Sequence, residues 1–317
     1  MSRYILKKVL GLIPVMLAAT VFIFLMVKAS GINPVLATQS GGRMSEEAYQ
    51  SRLEKYDLDK SVPMQYVFWL KNISAGDFGE SVKYKTTVSS LILKYAPVTV
   101  GLAVLSFLIS QPLAILLGVW SAVKRGTLID KLILTVTLLM FAVPVFLMSI
   151  LVILVVSKNF PGYSYTGSYA NFGEYLQRLA LPAAVMAAHQ VALITKITRS
   201  SMIEQLSSDY VPALRAKGLG EGTIIFRHAL KNAIIPVITV SGIQFGAMIV
   251  GCVLVENIFS FPGLGKLIVQ GVTVGDISVV QGVSLIVIAV FLAADLITNI
   301  LYAVIDPRIK EQEGAYA

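Results

Sequence analysis

Charge is what this chain has least of. Of its 317 residues 14% are charged, while 56% are hydrophobic and the mean hydropathy is +0.77. Soluble domains carry about a quarter charged residues, so a water-soluble globule is excluded and a polytopic membrane protein is expected. Cysteine occurs once, as Cys252 within an apolar run, which rules out an intrachain disulfide or a cysteine metal cluster. The only histidines, His189 and His228, fall on different predicted elements, and H-E-x-x-H and G-x-S-x-G are both missing. The nearest approach to a phosphate loop is FPGLGK. There Ser260 stands where the first glycine is needed, and Leu267 follows Lys266 where Ser or Thr must bind Mg²⁺. With no nucleotide, nucleophile or metal motif legible, no catalytic residue, no cofactor and no enzymatic activity are assigned to this chain. The net charge of +8 need not mean nucleic acid, because membrane proteins retain cations on one side; no nucleic-acid partner is expected.

Long apolar runs are what the chain has in abundance. Six are expected to cross the membrane as helices of an all-α fold: about Val9–Val27, Pro97–Val123, Lys131–Val156 with an interruption at Pro144, Leu179–Met202, Ile234–Val255 and Val279–Ile305. The first follows Arg3, Lys7 and Lys8 but approaches full span length and has no clear cleavage site, so it reads as an uncleaved helix rather than a signal peptide. Residues 29–95 form the one sizeable polar insertion, whose Tyr66, Phe68 and Trp69 suit a small cap or a membrane interface. ENIFSFPGLGKLIVQGVTVGD, before the last run, reads as a hairpin partly re-entering the membrane. The implied organisation is 1–28 (N-terminus and first span), 29–95 (external insertion), 96–310 (five-helix core with a loop at 204–236) and 311–317 (tail).

Six spans place both termini on one side. That side carries Arg3, Lys7, Lys8, Lys124, Arg125, Lys131, Lys196, Arg199, Arg215, Lys217, Arg227, Lys231, Arg308 and Lys310. Opposite them, leaving out the long insertion, stand only Lys158, Arg178 and Lys266. Cations concentrate on the cytoplasmic side, so both termini are expected in the cytoplasm and the insertion outside.

Between the fourth and fifth runs lies DYVPALRAKGLGEGTIIFRHALKNAIIP, residues 209–236. Two short helices are expected. Asp209 suits the N-cap of the first, Pro212 its first turn, Arg215 and Lys217 its last turn, and Gly218 its C′ stop. In the second, Phe226, Ala229, Leu230 and Ala233 share an apolar face, Arg227 and Lys231 lie on another side, and Pro236 ends the piece. The stretch reads either as a plain basic connection or as a docking surface for a cytoplasmic partner. Polar residues inside spans are Gln111, His189, Gln190, Lys196, Gln244, Asp295 and Asn299. Asp295 and Asn299 share a helix face at i, i+4; they serve interhelical hydrogen bonding or a polar translocation path, and His189 reads as a satisfied packing histidine. Gly242, Gly246 and Gly251 form a small-residue strip for close helix approach, against this chain or a second subunit.

AKGL followed by RHALKNAIIPVI resembles the cytoplasmic loop of permease subunits of bacterial ABC importers of the oligopeptide, dipeptide and nickel group. RYILKKVLGLIPVML, LDKSVPMQYVFWLKNISAGDFGES, ENIFSFPGLGKL and LYAVIDPRI resemble the same family, in order along nearly the whole chain. The likeness is greatest to the permease partner with the longer first external loop. It implies a heterodimer with a homologous second permease, two cytoplasmic ATPase subunits that bind the ATP and Mg²⁺, an external substrate-binding protein, and membrane lipid around the spans. The substrate implied is a peptide, with nickel or a metal chelate as the alternative; a membrane scaffold without transport is the alternative of a different class. By the same resemblance Asp209, Tyr210, Ala213, Leu214, Arg215, Ala216, Lys217 and Gly218 are the ATPase-coupling residues. Arg227, His228, Lys231, Asn232 and Pro236 support the loop, and Gln244, Asp295 and Asn299 are candidates for the path. Two departures stand out. Where importer loops begin Glu-Ala-Ala, this chain has Pro212, Ala213 and Leu214. Where the family has an aspartate three residues before the final tyrosine, Asn299 precedes Tyr302, and the acid is one turn earlier at Asp295.

Overall fold

A computed structural model of the chain describes residues 2–32, 46–47, 50–51, 58–163 and 171–305, the first three and last five of these by backbone alone. The tail at 311–317, the Asp306–Pro307 part of the final motif, Arg308, Lys310 and much of the insertion's first half lie outside the described residues. Among the described residues the main helices are, in order, α1 (Ser2–Ala29), α2 (Val62–Ser74), α3 (Val88–Val123), α4 (Leu128–Ala142), α5 (Val145–Asn159), α6 (Phe172–Leu206), α7 (Tyr210–Ala216), α8 (Glu221–Ile258), α9 (Leu264–Val274) and α10 (Ile277–Ile305). Among the described residues the only β pairing is the isolated bridge Glu80–Thr87. Apolar runs become helices because, away from water, a helix satisfies its backbone N–H and C=O groups within one segment.

Five helices, α1, α3, α6, α8 and α10, are long and apolar enough to cross a membrane, and α4 with α5 makes a sixth only if the pair is one broken span. The expected third span is therefore not a single rod: α4 and α5 have 15 residues each and are bent by 102°. At about 1.5 Å per residue each is about 22 Å long, short of a hydrocarbon core of about 30 Å. Pro144 is the cause. It has no N–H to continue the helix and it pushes Val143 into extended backbone, ψ 121°. The second span begins at Val88, nine residues before the expected Pro97, and continues through Pro97 and Pro112. The expected short helix ending at Pro236 does not exist as a separate element; α8 is continuous from Glu221 to Ile258 with Pro236 inside it.

The chain forms two compact units, residues 1–99 with 261–292, and residues 100–260 with 293–317. In the first, α2 packs on α1: the Thr20 and Tyr66 hydroxyls are 2.9 Å apart, and Phe24 lies 5.4 Å from the Tyr66 ring and 5.7 Å from Trp69. The aromatic part of the insertion is thus a structured cap. The fully buried Asp276 caps α10, and its Oδ2 also accepts from Ser81 Oγ at 2.6 Å and from the Lys83 N–H at 3.2 Å. Thr99 Oγ1 accepts from the Leu264 N–H at 2.8 Å. In the second unit α3, α6 and α8 share two apolar clusters, one of Val119, Ala122, Met202, Ala229 and Ala233, the other of Ala114, Val191, Ile194 and Val237. Ser241 donates to Gln111 Oε1 at 2.6 Å. A Cβ on Gly118 would lie 2.5 Å from Thr198, and one on Gly242 would lie 1.6 Å from Thr298, so glycine is required at both crossings. Of the strip expected to allow close approach, Gly242 therefore does so against this chain's own α10, whereas a Cβ on Gly251 would meet only Met186 at 3.9 Å.

Candidate functional site: the loop between α6 and α8

α6 stops at Leu206, and two serines and Asp209 turn the chain into α7. Asp209 occupies the N-cap position but in helical backbone, φ −60° and ψ −23°, and its side chain makes no capping bond. The expected cap is thus present by place only; the Val211 N–H goes instead to the Ser208 carbonyl at 3.1 Å. Tyr210 is half-buried, with its hydroxyl 3.2 Å from Gln205 Oε1. Val211 is fully buried and Leu214 half-buried, while Pro212, Ala213, Arg215, Ala216 and Lys217 are exposed. Seven residues thus present one anchored edge and a broad free face.

The end of α7 is closed by its backbone. Gly218 adopts φ +79°, its N–H bonds the Arg215 carbonyl at 2.9 Å, and the Leu219 N–H bonds the Leu214 carbonyl at 3.3 Å. This is the paired 6→1 and 5→2 arrangement that a left-handed residue at C′ makes possible. Arg215 then reaches across the turn to Glu221, Nε to Oε1 at 2.6 Å and Nη2 to Oε2 at 3.2 Å. The pair holds the guanidinium charged still more firmly than usual, its hydrogen bond with Glu221 being the main cause. Both side chains are more than half exposed, so the pair adds little to stability.

α8 opens with a π turn at Ile224–Ala229, closed by the Leu230 N–H on the Ile225 carbonyl. A π turn spaces like positions five apart rather than four. Ile224 and Ala229 are accordingly the buried pair, and Phe226, expected on the apolar face, is 59% exposed. Ala229 and Ala233 join Val119, Ala122 and Met202, with Ile203 and Leu206 packed beside them. His228 is half-buried; Arg227, Lys231, Asn232 and Pro236 are exposed. The loop's base is thus fixed to α3 and α6, while Arg227, Lys231 and the outer face of α7 stay exposed.

A second polar cluster in the same unit was not legible in the sequence. Asp130, with a side chain 4% exposed, receives Arg199 Nε on Oδ1 and Nη2 on Oδ2, both at 2.8 Å. Ser121 Oγ donates to the same carboxylate at 2.5 Å, and the Gly126 N–H at 2.8 Å. The 124–127 turn, α4 and the last part of α6 are thereby tied by one saturated carboxylate. The two residues are 69 positions apart, so no spacing rule points from one to the other.

The residues proposed for a path are only partly brought together. Asn299 Nδ2 donates to Asp295 Oδ2 and to the Asp295 carbonyl, both at 2.9 Å, so the two share a face of α10 and are half-buried. Gln244 lies on α8, half-buried, and among the described residues it bonds to neither.

Residues 114–311 match the binding-protein-dependent transport system inner membrane component family, and residues 1–103 match the N-terminal region of such membrane components. The chain belongs to this family. Its members are transport permeases, not enzymes, and work with separate ATPase and substrate-binding subunits. The permease is 36% identical over 316 residues to the oligopeptide transport system permease protein AppB of Bacillus subtilis, covering 98% of this chain and 100% of the relative. It is 36% identical over 313 residues to a putative peptide transport system permease protein of Brucella abortus, covering 98% and 99%. It is 31% identical over 335 residues to the di/tripeptide transport system permease protein DppB of Pseudomonas aeruginosa, covering 98% and 100%. Its fold is that of the permease in an inward-facing structure of the MetNI methionine ABC transporter, at TM-score 0.56, 14% identity and coverage of 68% and 96%. The permease is a multi-pass inner-membrane protein.

Proposed function

We propose that this permease is one transmembrane subunit of an ATP-driven peptide importer and that α7 is the element through which ATPase subunits move it. The observation that carries the coupling reading is the construction of α7. Its ends are fixed by backbone bonds, its base is fixed to α3 and α6 by the π-turn register, and its outer face of Pro212, Ala213, Arg215, Ala216 and Lys217 is left free. A seven-residue helix buried through Val211 and Leu214, with Tyr210 and Arg215 bonded to its flanks, is suited to pass displacement to the ends of the spans. The peptide reading is supported by relatives named for oligopeptides and di/tripeptides that align from end to end.

In this reading the cations at 124–131, 196–199 and 215–231 face the cytoplasm, as do both termini, and the broken α4–α5 pair counts as one of six spans. A homologous second permease completes the path. Two ATPase subunits bind ATP and Mg²⁺ and meet α7 through fit, apolar contact and neighbours such as Arg215 and Lys217, since Pro212 stands where an acid would otherwise offer an ion pair. An external binding protein delivers the peptide.

The test is reconstitution of this permease with its partner permease, ATPases and binding protein in proteoliposomes. Peptide-stimulated ATP hydrolysis and peptide accumulation, seen only with all components present, are the expected result. Stimulation by Ni²⁺ and not by peptide would move the substrate to the metal class. ATPase subunits that do not co-purify would leave a scaffold.

A further inference from the structure

The break between α4 and α5 leaves backbone groups without helix partners. The Val143 N–H still bonds the Leu139 carbonyl at 3.2 Å, and helical bonding resumes with the Met148 N–H on the Pro144 carbonyl at 3.0 Å. The carbonyls of Met140, Phe141 and Ala142 would need N–H groups at Pro144, Val145 and Phe146. Pro144 has none, and the bend carries the other two away. Reciprocally, the first N–H groups of α5 have no preceding turn to bond, and no side chain caps that end.

This break is not tucked into the chain's interior. Phe141 is 47% and Phe146 49% exposed, and Ala142 and Pro144 are exposed too. Nor is it near a span end. Ala142 is fourteen residues beyond Leu128, about 21 Å along α4. Phe141 stacks on His189, ring centroids 4.7 Å apart and planes 17° apart, and His189 is the midpoint of Phe172–Leu206. Both are positions along helices, and with α4 and α6 running across the bilayer they put the break well inside the hydrocarbon rather than at its edge. Hydrocarbon cannot satisfy open backbone there; such backbone survives only where it is covered by protein or lines a watery cavity.

His189 adds a side chain with the same need. Its Nδ1 is sealed from solvent and has no hydrogen-bond partner among the described residues, although the residue as a whole is half-buried. A sealed Nδ1 with no acceptor beside it is assigned the lone pair, which puts the hydrogen of the neutral ring on Nε2. With Nδ1 sealed and one ring face covered by Phe141, the exposure that half-buried His189 keeps is left to its other face and its Nε2 edge. The sequence expectation of a satisfied packing histidine is thereby revised.

We infer that the 141–147 break and His189 together form a contact site on the translocation path for the main chain of a passing peptide. The site offers carbonyls to peptide N–H groups and N–H groups, with His189 Nε2, to peptide carbonyls. Matching backbone with backbone makes the contact indifferent to side-chain sequence, as a transporter of varied peptides needs. The inference rests on the peptide-importer reading and goes beyond it by assigning residues.

Two measurements on the full reconstituted complex test it. First, Ala142→Cys is treated with a charged, water-soluble thiol reagent alongside the parent, whose buried Cys252 sets the background. Labelling above that background, slowed at least threefold by saturating peptide and binding protein, is expected. Absence of labelling, or labelling that peptide does not slow, overturns the inference. Second, His189→Phe keeps the stack on Phe141 but removes Nε2, whereas His189→Gln keeps a donor. His189→Phe is expected to raise the KM for peptide uptake about tenfold and His189→Gln less than threefold; equal effects of the two overturn the role of Nε2. If the parent complex transports peptide and these results fail, only this site falls. If the parent transports no peptide, the importer reading and this site fall together.

Discussion

Arg199 grips Asp130 with two parallel hydrogen bonds of 2.8 Å across 69 residues of sequence, joining α6 to α4 where α6 approaches the loop that carries α7. Ser121 and the Gly126 N–H fill the rest of the carboxylate. The turn before α4, the helix that leads to the break at Pro144, and the helix that leads into α7 are therefore tied by one ion pair.

Removing one partner of a buried pair costs about 3–5 kcal/mol because the other is left uncompensated. Arg199 keeps 22% of its side chain exposed, so Asp130→Ala should cost about 3 kcal/mol, the lower end of that range. Thermal unfolding of the purified permease measures this. Arg199→Lys should restore only part of the loss in an Arg199 series, because lysine cannot present two donors to one carboxylate.

At Gly242 α8 lies close against α10, a Cβ there falling 1.6 Å from Thr298 Cγ2. Gly242→Ala should lower stability by about 1–3 kcal/mol through overpacking. Thr298→Ala in the same chain should recover most of it, since it removes the atoms that clash. An unfolding series of the two single variants and the double variant reads the coupling directly.

Arg215 and Glu221 give the opposite kind of prediction. Their pair is exposed, so Arg215→Ala should leave the unfolding temperature of the isolated permease unchanged. Its effect should appear only on assembly, as weaker retention of ATPase subunits during co-purification. A stability loss without an assembly loss would place Arg215 in the fold rather than in the docking face.

Much of this architecture was legible because hydropathy and turn chemistry are local. The span centres, the α7 stop at Gly218 and the i, i+4 partnership of Asp295 and Asn299 all follow from spacing along one helix. What was missed depended on bonds between elements or on departures from ideal period. The π turn at Ile224–Ala229 moved Phe226 off the buried face, because a rule of three and four residues does not foresee a step of five. Arg199 was legible only as one of the cations of its side and Asp130 carried no signal at all, until the fold brought them together. Pro144 was visible as an interruption, but the 102° bend and the stacking of His189 on Phe141 needed the third dimension.

The central claim is that α7 carries the motion of ATPase subunits into the permease, and Gly218 is the residue whose backbone closes that helix. Gly218 sits at φ +79° with open space around its missing Cβ, so a substitution there changes backbone conformation without creating a clash. Proline cannot adopt that φ. The decisive measurement is the ratio of ATP hydrolysed to peptide imported by the Gly218→Pro complex in proteoliposomes. The account predicts a permease that inserts and assembles, continued ATP hydrolysis, and at least a tenfold rise in ATP consumed per peptide. Uptake at the parent's ratio would contradict it.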